Sequence, residues 1–385
     1  MMKRGWQACA LLFLAPLCAL AATGTWRNFT SMKDVRGVVR DGSSFWAASS
    51  GGLFRWNTQA DDFLLLTNAE GLRNIDLTAV YVDGAGDVWS GSTNGVLHVY
   101  TPSTGSIRPI LDIATANQTN KRINAIVVQG DTALICTEFG LSVFRIARFE
   151  FGDTYTRFGS VPAATRTSVL SAVMHNGRLY ACISDGQTVN NVAVANLNNP
   201  NLLPPESWTL QTVGGPGFVP RTLTVFNGRL YAGTTGGLYY EDGGNWIPIA
   251  GLSGKSILAS TATATALYLT TAAREVYAVS VQNAATPFGT TLPYAPTSIT
   301  TDAQGVPVVG STNGGLLTGG SPWVSHVPNG PDANQFLSLV VDPDGVLWCG
   351  SGDVSGRGLY RYDGSAWTTF TTLNSTLPTN DVHRI

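Results

Sequence analysis

The sequence predicts an all-β repeat architecture, and three observations carry that prediction. Charged residues make up only 12% of the 385, aromatics 10%, and glycines number 43. This is the profile of a turn-rich β protein, not of a disordered tail or a coiled coil. No long amphipathic helical pattern interrupts the chain. A short motif also recurs: an aromatic or apolar residue, a small one, Gly or Ala, Ser or Thr, a brief loop, then Gly and an apolar pair.

The motif's copies define the elements in order. SFWAASSGGLFRW begins at Ser44, DVWSGSTNGVLHVY at Asp87 and ALICTEFGLSVF at Ala133. RLYAGTTGGLYY begins at Arg229, VPVVGSTNGGLL at Val306 and VLWCGSGDVSGRGLYRY at Val346. The glycine before the third strand falls at Gly52, Gly95, Gly140, Gly237, Gly315 and Gly358. Two copies are degenerate, one from Gly177 to Val194 and one from Leu267 to Tyr277. Ahead of each copy lies an apolar run closed by Asp-Gly, Asn-Gly or Gln-Gly, as in AVYVDGAGD and LTVFNGR. Such dipeptides tolerate the positive φ of a tight hairpin, so two strands meet there. A third strand follows, then a fourth that often opens on Trp, at Trp208, Trp246 and Trp367. Four short strands recurring at roughly 40-residue spacing form a β-propeller blade. WD40 signatures are missing at the repeat positions.

Seven hairpins, starting at Val35, Leu77, Ile123, Val169, Arg221, Ser256 and Thr297, predict a seven-bladed β-propeller. Trp26–Thr30 reads as a fourth strand with no blade before it, and is expected to close the ring by completing the seventh blade, leaving no open edge. Pro322–Val327 then reads as a second orphan strand, and Gly330–Asn334 as a linker. A full blade is expected over 336–371 and the start of another from Asn380 to Ile385. The expected organisation is a leader over residues 1–22, the ring over 23–319, and the truncated start of a second propeller over 320–385. A longer reading frame is therefore expected past Ile385.

The leader expectation rests on Lys3 and Arg4 ahead of the apolar run Ala8–Leu20 and the small-x-small site Ala19-Leu20-Ala21. Export to the periplasm or outer surface follows. No later stretch is long and apolar enough for a transmembrane helix. Cys9 and Cys18 depart with the leader, leaving Cys136, Cys182 and Cys349, too widely spaced for a disulfide framework or a CxxC metal site. A net charge of −2 gives no nucleic-acid footprint.

LPTNDVHRI, VVDPDGVLWCGSG, GLYRYDGSAWTTFTTLNS and LTNAEGLRNIDLTAVYVDGAGDVWSGSTNGV resemble two-component-regulator propeller repeats. The leader, the early TWRNFT strand, the seven-blade ring and immediate entry into a second ring further resemble the N-terminal propeller region of the PorZ-type component of bacterial type IX secretion. That resemblance implies two propellers and a small C-terminal β-domain, work at the outer surface with a sortase complex, and binding of anionic lipopolysaccharide.

Candidate chemistry is sparse. Asp83 and Asp87 sit in a glycine-rich loop, but calcium loops need closer alternating oxygens and a distant Glu. Sibling turns carry Asn176-Gly177, Asn227-Gly228 and Gln129-Gly130, so both aspartates read as turn residues. Asp342-Pro343-Asp344-Gly345 reads the same way. Trp46, Trp89, Trp348, Tyr180 and Tyr231 share one repeat position, which predicts packing between blades. His98, His175, His326 and His383 are scattered and assemble no metal site or triad. Glu138 is read at the position of Ser49, Ser92, Thr234, Ser311 and Ser351, as an exposed strand end. No catalytic, cofactor or metal residue is expected. One constellation is a candidate ligand site: Arg36, Thr78, Asn124, Ser171, Thr222 and Thr297, all polar, near the start of innermost strands, where they would ring one channel mouth. Arg36 would supply positive charge for an anionic ligand.

The expected function is a non-enzymatic exported binding or scaffold module, PorZ-like, with protein or cell-surface glycan or lipopolysaccharide partners. The alternatives are the extracellular sensor region of a hybrid two-component histidine kinase and a carbohydrate-active enzyme propeller. Fold alone does not choose among them.

Overall fold

The computed structural model describes residues 27–352 and 357–385. It contains eight four-stranded antiparallel sheets, each built from consecutive strands. The first sheet runs through Val35–Asp41, Ser44–Ser49, Gly52–Asn57 and Asp62–Leu66. The next six open with Leu77–Val82, Ile123–Gln129, Ser168–His175, Pro220–Phe226, Ile257–Ala262 and Pro296–Thr301. These seven first strands touch one another in a closed circuit, sheet 7 returning to sheet 1. The arrangement is propeller-like, and the expected leader and Trp26 lie outside the described residues.

Side-chain size explains how the sheets approach. Gly91, on the second strand of sheet 2, lies against Ile123, which begins sheet 3, and Gly233 lies against Ile257 in the same way. A Cβ at either glycine would fall inside van der Waals contact with the neighbouring isoleucine. Cys136 and Cys182 occupy this register in sheets 3 and 4 and are wholly buried. The repeated hydroxyl closes the next turn: Ser49 donates to the Gly52 carbonyl at 2.8 Å, and Thr137 to the Gly140 carbonyl at 2.9 Å. Gly52 and Gly140 adopt φ of 135° and 149°, open to glycine and strained for other residues. Thr137 therefore holds the repeat's hydroxyl position. Glu138 stands one residue further on, half-buried, contrary to the exposed strand end expected from the aligned motif.

Asp83 is a turn residue. Its Oδ1 accepts the amides of Ala85 and Asp87, and its Oδ2 accepts the Trp89 indole N–H at 2.8 Å. Trp46 and Trp89 are buried between sheets, packing edge-on against Tyr100 and Phe144 of the following sheet.

Closure differs from the expectation. The fourth strand of sheet 7 is Val324–His326, paired with Gly315–Thr318, so it is neither orphaned nor the start of another unit. It follows its partner in the chain within a few residues, and such short loops close at little entropic cost. His326 also stacks on Trp56 of sheet 1, with ring centroids 3.8 Å apart. Arg27–Thr30 form no strand. Instead Phe29 lies 4.7 Å from Tyr362 and 5.5 Å from Trp367, in the eighth sheet. Lys33 pairs with Asp332, and the Ser31 amide donates to Asn334. The segment thus ties the ring to the eighth sheet.

That sheet comprises Ser338–Val341, Leu347–Gly350, Leu359–Tyr362 and Trp367–Phe370. Its first strand is exposed, with Leu339 at 64% and Val341 at 63%, where the corresponding strands of the ring are covered. The Val382 backbone lies beside Gly350, as Ile123 lies beside Gly91.

Candidate functional site

The site is built on an irregularity shared by all seven first strands. Each slips register by one residue near its start, a β-bulge that leaves one residue unpaired. The extra residues are Arg36, Thr78, Asn124, Leu170, Arg221, Leu258 and Thr297. Bulges re-aim side chains, and here they aim them sideways. Thr78 donates to the Ile123 carbonyl at 2.6 Å, Asn124 to the Val169 carbonyl at 3.0 Å, and Thr297 to the Val35 carbonyl at 2.6 Å. Arg36 reaches the Leu77 carbonyl at 3.4 Å. In each case the acceptor belongs to the next sheet's first strand.

Four of the six residues expected at the mouth thus fasten neighbouring sheets. Ser171 and Thr222 stand one position on. The Ser171 hydroxyl accepts the Leu223 amide at 3.3 Å, and Thr222 meets the Ser260 hydroxyl at 2.9 Å. All six lie on first strands, and each makes a hydrogen bond to the adjoining sheet.

Arg36 is engaged further. It pairs with Asp34 at 3.1 Å and Asp76 at 2.6 Å, and Thr93 donates to the other oxygen of Asp76. Around this pair stand charges that the polar pattern did not single out. Asp34, Asp76 and Arg122 immediately precede the buried residues that open the first strands of sheets 1, 2 and 3. Glu138 accepts the Ser168 hydroxyl at 2.6 Å. Arg122 makes no ion pair among the described residues. Burial draws its pKa down, the Arg36 cation acts in the same direction, and Glu138, Asp76 and Asp34 oppose both. The signal in the sequence was a charge directly before the apolar residue opening a strand. The equivalent places in sheets 5, 6 and 7 hold Val219, Ser256 and Ala295, as their matching amide–carbonyl bonds locate them. At this position the charges therefore fall on sheets 1–3, while sheet 5 carries Arg221 on its bulge and sheet 6 the Lys255–Glu275 ion pair nearby. Such an arrangement offers ion pairing and hydrogen bonding to a ligand.

Among the described residues no group of three or more His, Cys, Asp or Glu is placed to hold a metal. His98 is wholly buried, and its Nε2 accepts the Arg73 amide at 2.9 Å. Burial lowers its pKa to about 4, keeping it neutral. The three described cysteines are buried free thiols whose ionisation burial opposes. No helix among the described residues is long and apolar enough to cross a membrane.

Residues 45–209 match the family model for the PorZ N-terminal beta-propeller domain of type IX secretion, and residues 155–325 match that for the DUF6242 beta propeller domain. No curated protein matches the chain. Among solved structures, PorZ of Porphyromonas gingivalis, described as an essential bacterial surface component of the type-IX secretion system, aligns at 17% identity and a TM-score of 0.71 over 90% of this chain and 46% of its own. The extracellular domain of the putative hybrid two component system BT3049 from B. thetaiotaomicron aligns at 18% identity and 0.60, over 92% of this chain and 49% of its own. The WD40 beta propeller domain of Doa1 aligns at 15% identity and 0.55, over 76% of this chain and 93% of its own. The chain spans about half the length of the first two. Together the repeats, the eight sheets and these matches show a propeller-like β-repeat fold, similar to the N-terminal propeller of PorZ and to the extracellular domain of a two component system.

Proposed function

We propose that the chain is a non-enzymatic, exported binding and scaffold module that assists type IX protein secretion at the cell surface, as its PorZ-like propeller suggests. In this reading the leader over residues 1–22 directs export to the periplasm or outer surface. Sheets 1–7 form a seven-bladed ring, and the eighth sheet opens a second β-unit. The observation that carries the reading is the uneven mouth. At the residue that precedes each first strand its charges lie on sheets 1–3, an asymmetry that suits oriented docking of a protein or a cell-surface glycan or lipopolysaccharide. The six first-strand residues Arg36, Thr78, Asn124, Ser171, Thr222 and Thr297 shape that mouth. Arg122, without an ion pair among the described residues, takes over the anion-facing role expected of Arg36.

Deleting the gene in its own bacterium is expected to retain type IX cargo in the periplasm. The wild-type chain should restore secretion, and an Arg122→Ala chain should restore it only in part. Normal secretion after deletion would overturn the reading. The fold match to a sensor's extracellular domain, which covers 92% of this chain, supports a second reading as a sensor region. Deletion would then alter glycan-dependent transcription and leave secretion intact.

A further inference from the structure

One position of the repeat is left open at the seam between sheets 7 and 1. On the second strand, the residue two places before the bulge-facing small residue is aromatic in six of the eight sheets. It is Trp46, Trp89, Tyr180, Tyr231, Tyr268 and Trp348 in sheets 1, 2, 4, 5, 6 and 8. Sheet 3 has Leu134 there, and sheet 7 has Val308. In sheets 1 and 2 the tryptophan crosses to the next sheet and meets a third-strand ring edge-on. Trp46 meets Tyr100, and Trp89 meets Phe144, both at 5.5 Å between centroids. The third-strand residue of sheet 1 in that place is Trp56. Val308 is too short to reach it, and the sheet 7 ring against Trp56 is instead His326, stacked on it from the fourth strand at 3.8 Å. Beside that stack a cavity of about 480 Å³ opens, floored by Phe45, Trp56 and Val308. That size falls within the range of small-ligand pockets, roughly 300–1,000 Å³.

The polar half of the position is also present and unfilled. Trp46, Trp89 and Trp348 each donate their indole N–H to Oδ2 of the aspartate that opens the preceding hairpin turn. The partners are Asp41 at 3.2 Å, Asp83 at 2.8 Å and Asp342 at 2.9 Å. In sheet 7 that aspartate is Asp302, which lines the cavity. Its Oδ1 accepts the amides of Gln304 and Val306 at 2.9 and 2.8 Å, matching the turns at Asp83 and Asp342. Its Oδ2 receives no donor among the described residues. The cavity therefore combines an apolar floor, an aromatic wall and an unoccupied carboxylate oxygen, in the arrangement that holds an indole elsewhere in this chain.

We propose that this seam cavity is a docking slot for an exposed tryptophan side chain of a partner protein. The entering ring would stack its edge against Trp56 and donate its N–H to Asp302 Oδ2, taking the place that Trp89 takes in sheet 2. Desolvated aromatic anchors of this kind dominate many protein interfaces.

The test is a titration of the full chain with N-acetyl-5-fluorotryptophanamide, followed by fluorine NMR. A saturable shift in the millimolar range or below is expected. The N-methylated indole analogue should bind about tenfold more weakly, since a hydrogen bond to a charged acceptor is lost. Asp302→Asn keeps the Oδ1 acceptor and hence the turn, and should erase the difference between the two probes. Val308→Trp should fill the slot from within and abolish binding. Absence of saturable binding to the wild-type chain would overturn the proposal, as would equal affinity for the two probes. So would unchanged binding to a folded Val308→Trp chain. Should that variant not fold, the Asp302→Asn comparison decides.

Discussion

His98 shows how a single buried side chain sets a pH limit on the molecule. It carries no exposed surface, one ring nitrogen accepts the Arg73 amide, and the other is buried without a partner among the described residues. Its folded pKa of about 4 lies below the 6.5 of the unfolded chain, so the unfolded state binds the proton first. Its stabilising effect is complete above pH 6.5 and declines as pH falls through 6.5 towards 4. The gap corresponds to roughly 3 kcal/mol, of which about 2 kcal/mol is lost between pH 7 and pH 5. Urea unfolding at those two pH values should show this loss in the wild type and a smaller one in His98→Gln, whose amide oxygen still accepts from Arg73. Equal losses in the two proteins would show that His98 is not the sensitive group. Its role was not legible in the sequence, where it is one of four scattered histidines. Burial and the lone Arg73 bond both arise from residues far from it in the chain order of contacts. Asp83, by contrast, was legible as a turn residue, because everything that occupies its carboxylate lies within six residues of it.

Among elements, the contact between one sheet's second strand and the next sheet's first strand decides whether the sheets close up. Gly91→Ala places a methyl group against Ile123, in a region already closely packed. Overpacking of this kind costs about 1–3 kcal/mol. A thermal melt should register it, and Gly84→Ala, with open space around its position, should leave the midpoint nearly unchanged. Equal effects at the two glycines would refute the packing explanation. The recurrence of the small residue was readable in the motif because every sheet repeats the same approach. The bulge was not readable. It depends on register between strands, and the residues flanking it look like any alternating run. Two of the expected mouth residues, Ser171 and Thr222, accordingly fall one place past the bulge. The pairing of Val324–His326 was hidden for a similar reason: a three-residue strand carries no label for its partner.

At the scale of the whole molecule, the segment 27–33 joins two bodies that the repeats treat as separate. Phe29 wedges against Tyr362 and Trp367, while Lys33 and Ser31 hold the connection at Asp332 and Asn334. Phe29→Ala is expected to free the eighth sheet from the ring without unfolding the ring. Limited proteolysis should then cut the connection at 328–336 several-fold faster, leaving a core that melts as before. An unchanged cleavage rate would mean that the polar contacts alone suffice. The recurring four-stranded sheets were legible because their period is long and their turns are distinctive. The strap was not, since Arg27–Thr30 has the composition of a strand and acquires its role only from what lies beside it.

The side-chain fastenings between first strands run from sheet 7 to sheet 1 and onward through sheet 6. Between sheets 6 and 7 the bulge holds Leu258, and the Ser298 hydroxyl is buried with no partner among the described residues. A bracelet made by joining two free ends would be expected to part at the join. Here the join is riveted by Thr297, and the open link lies one segment away from it. If the circle springs, it does so between sheets 6 and 7, with the two ends of the ring still clasped.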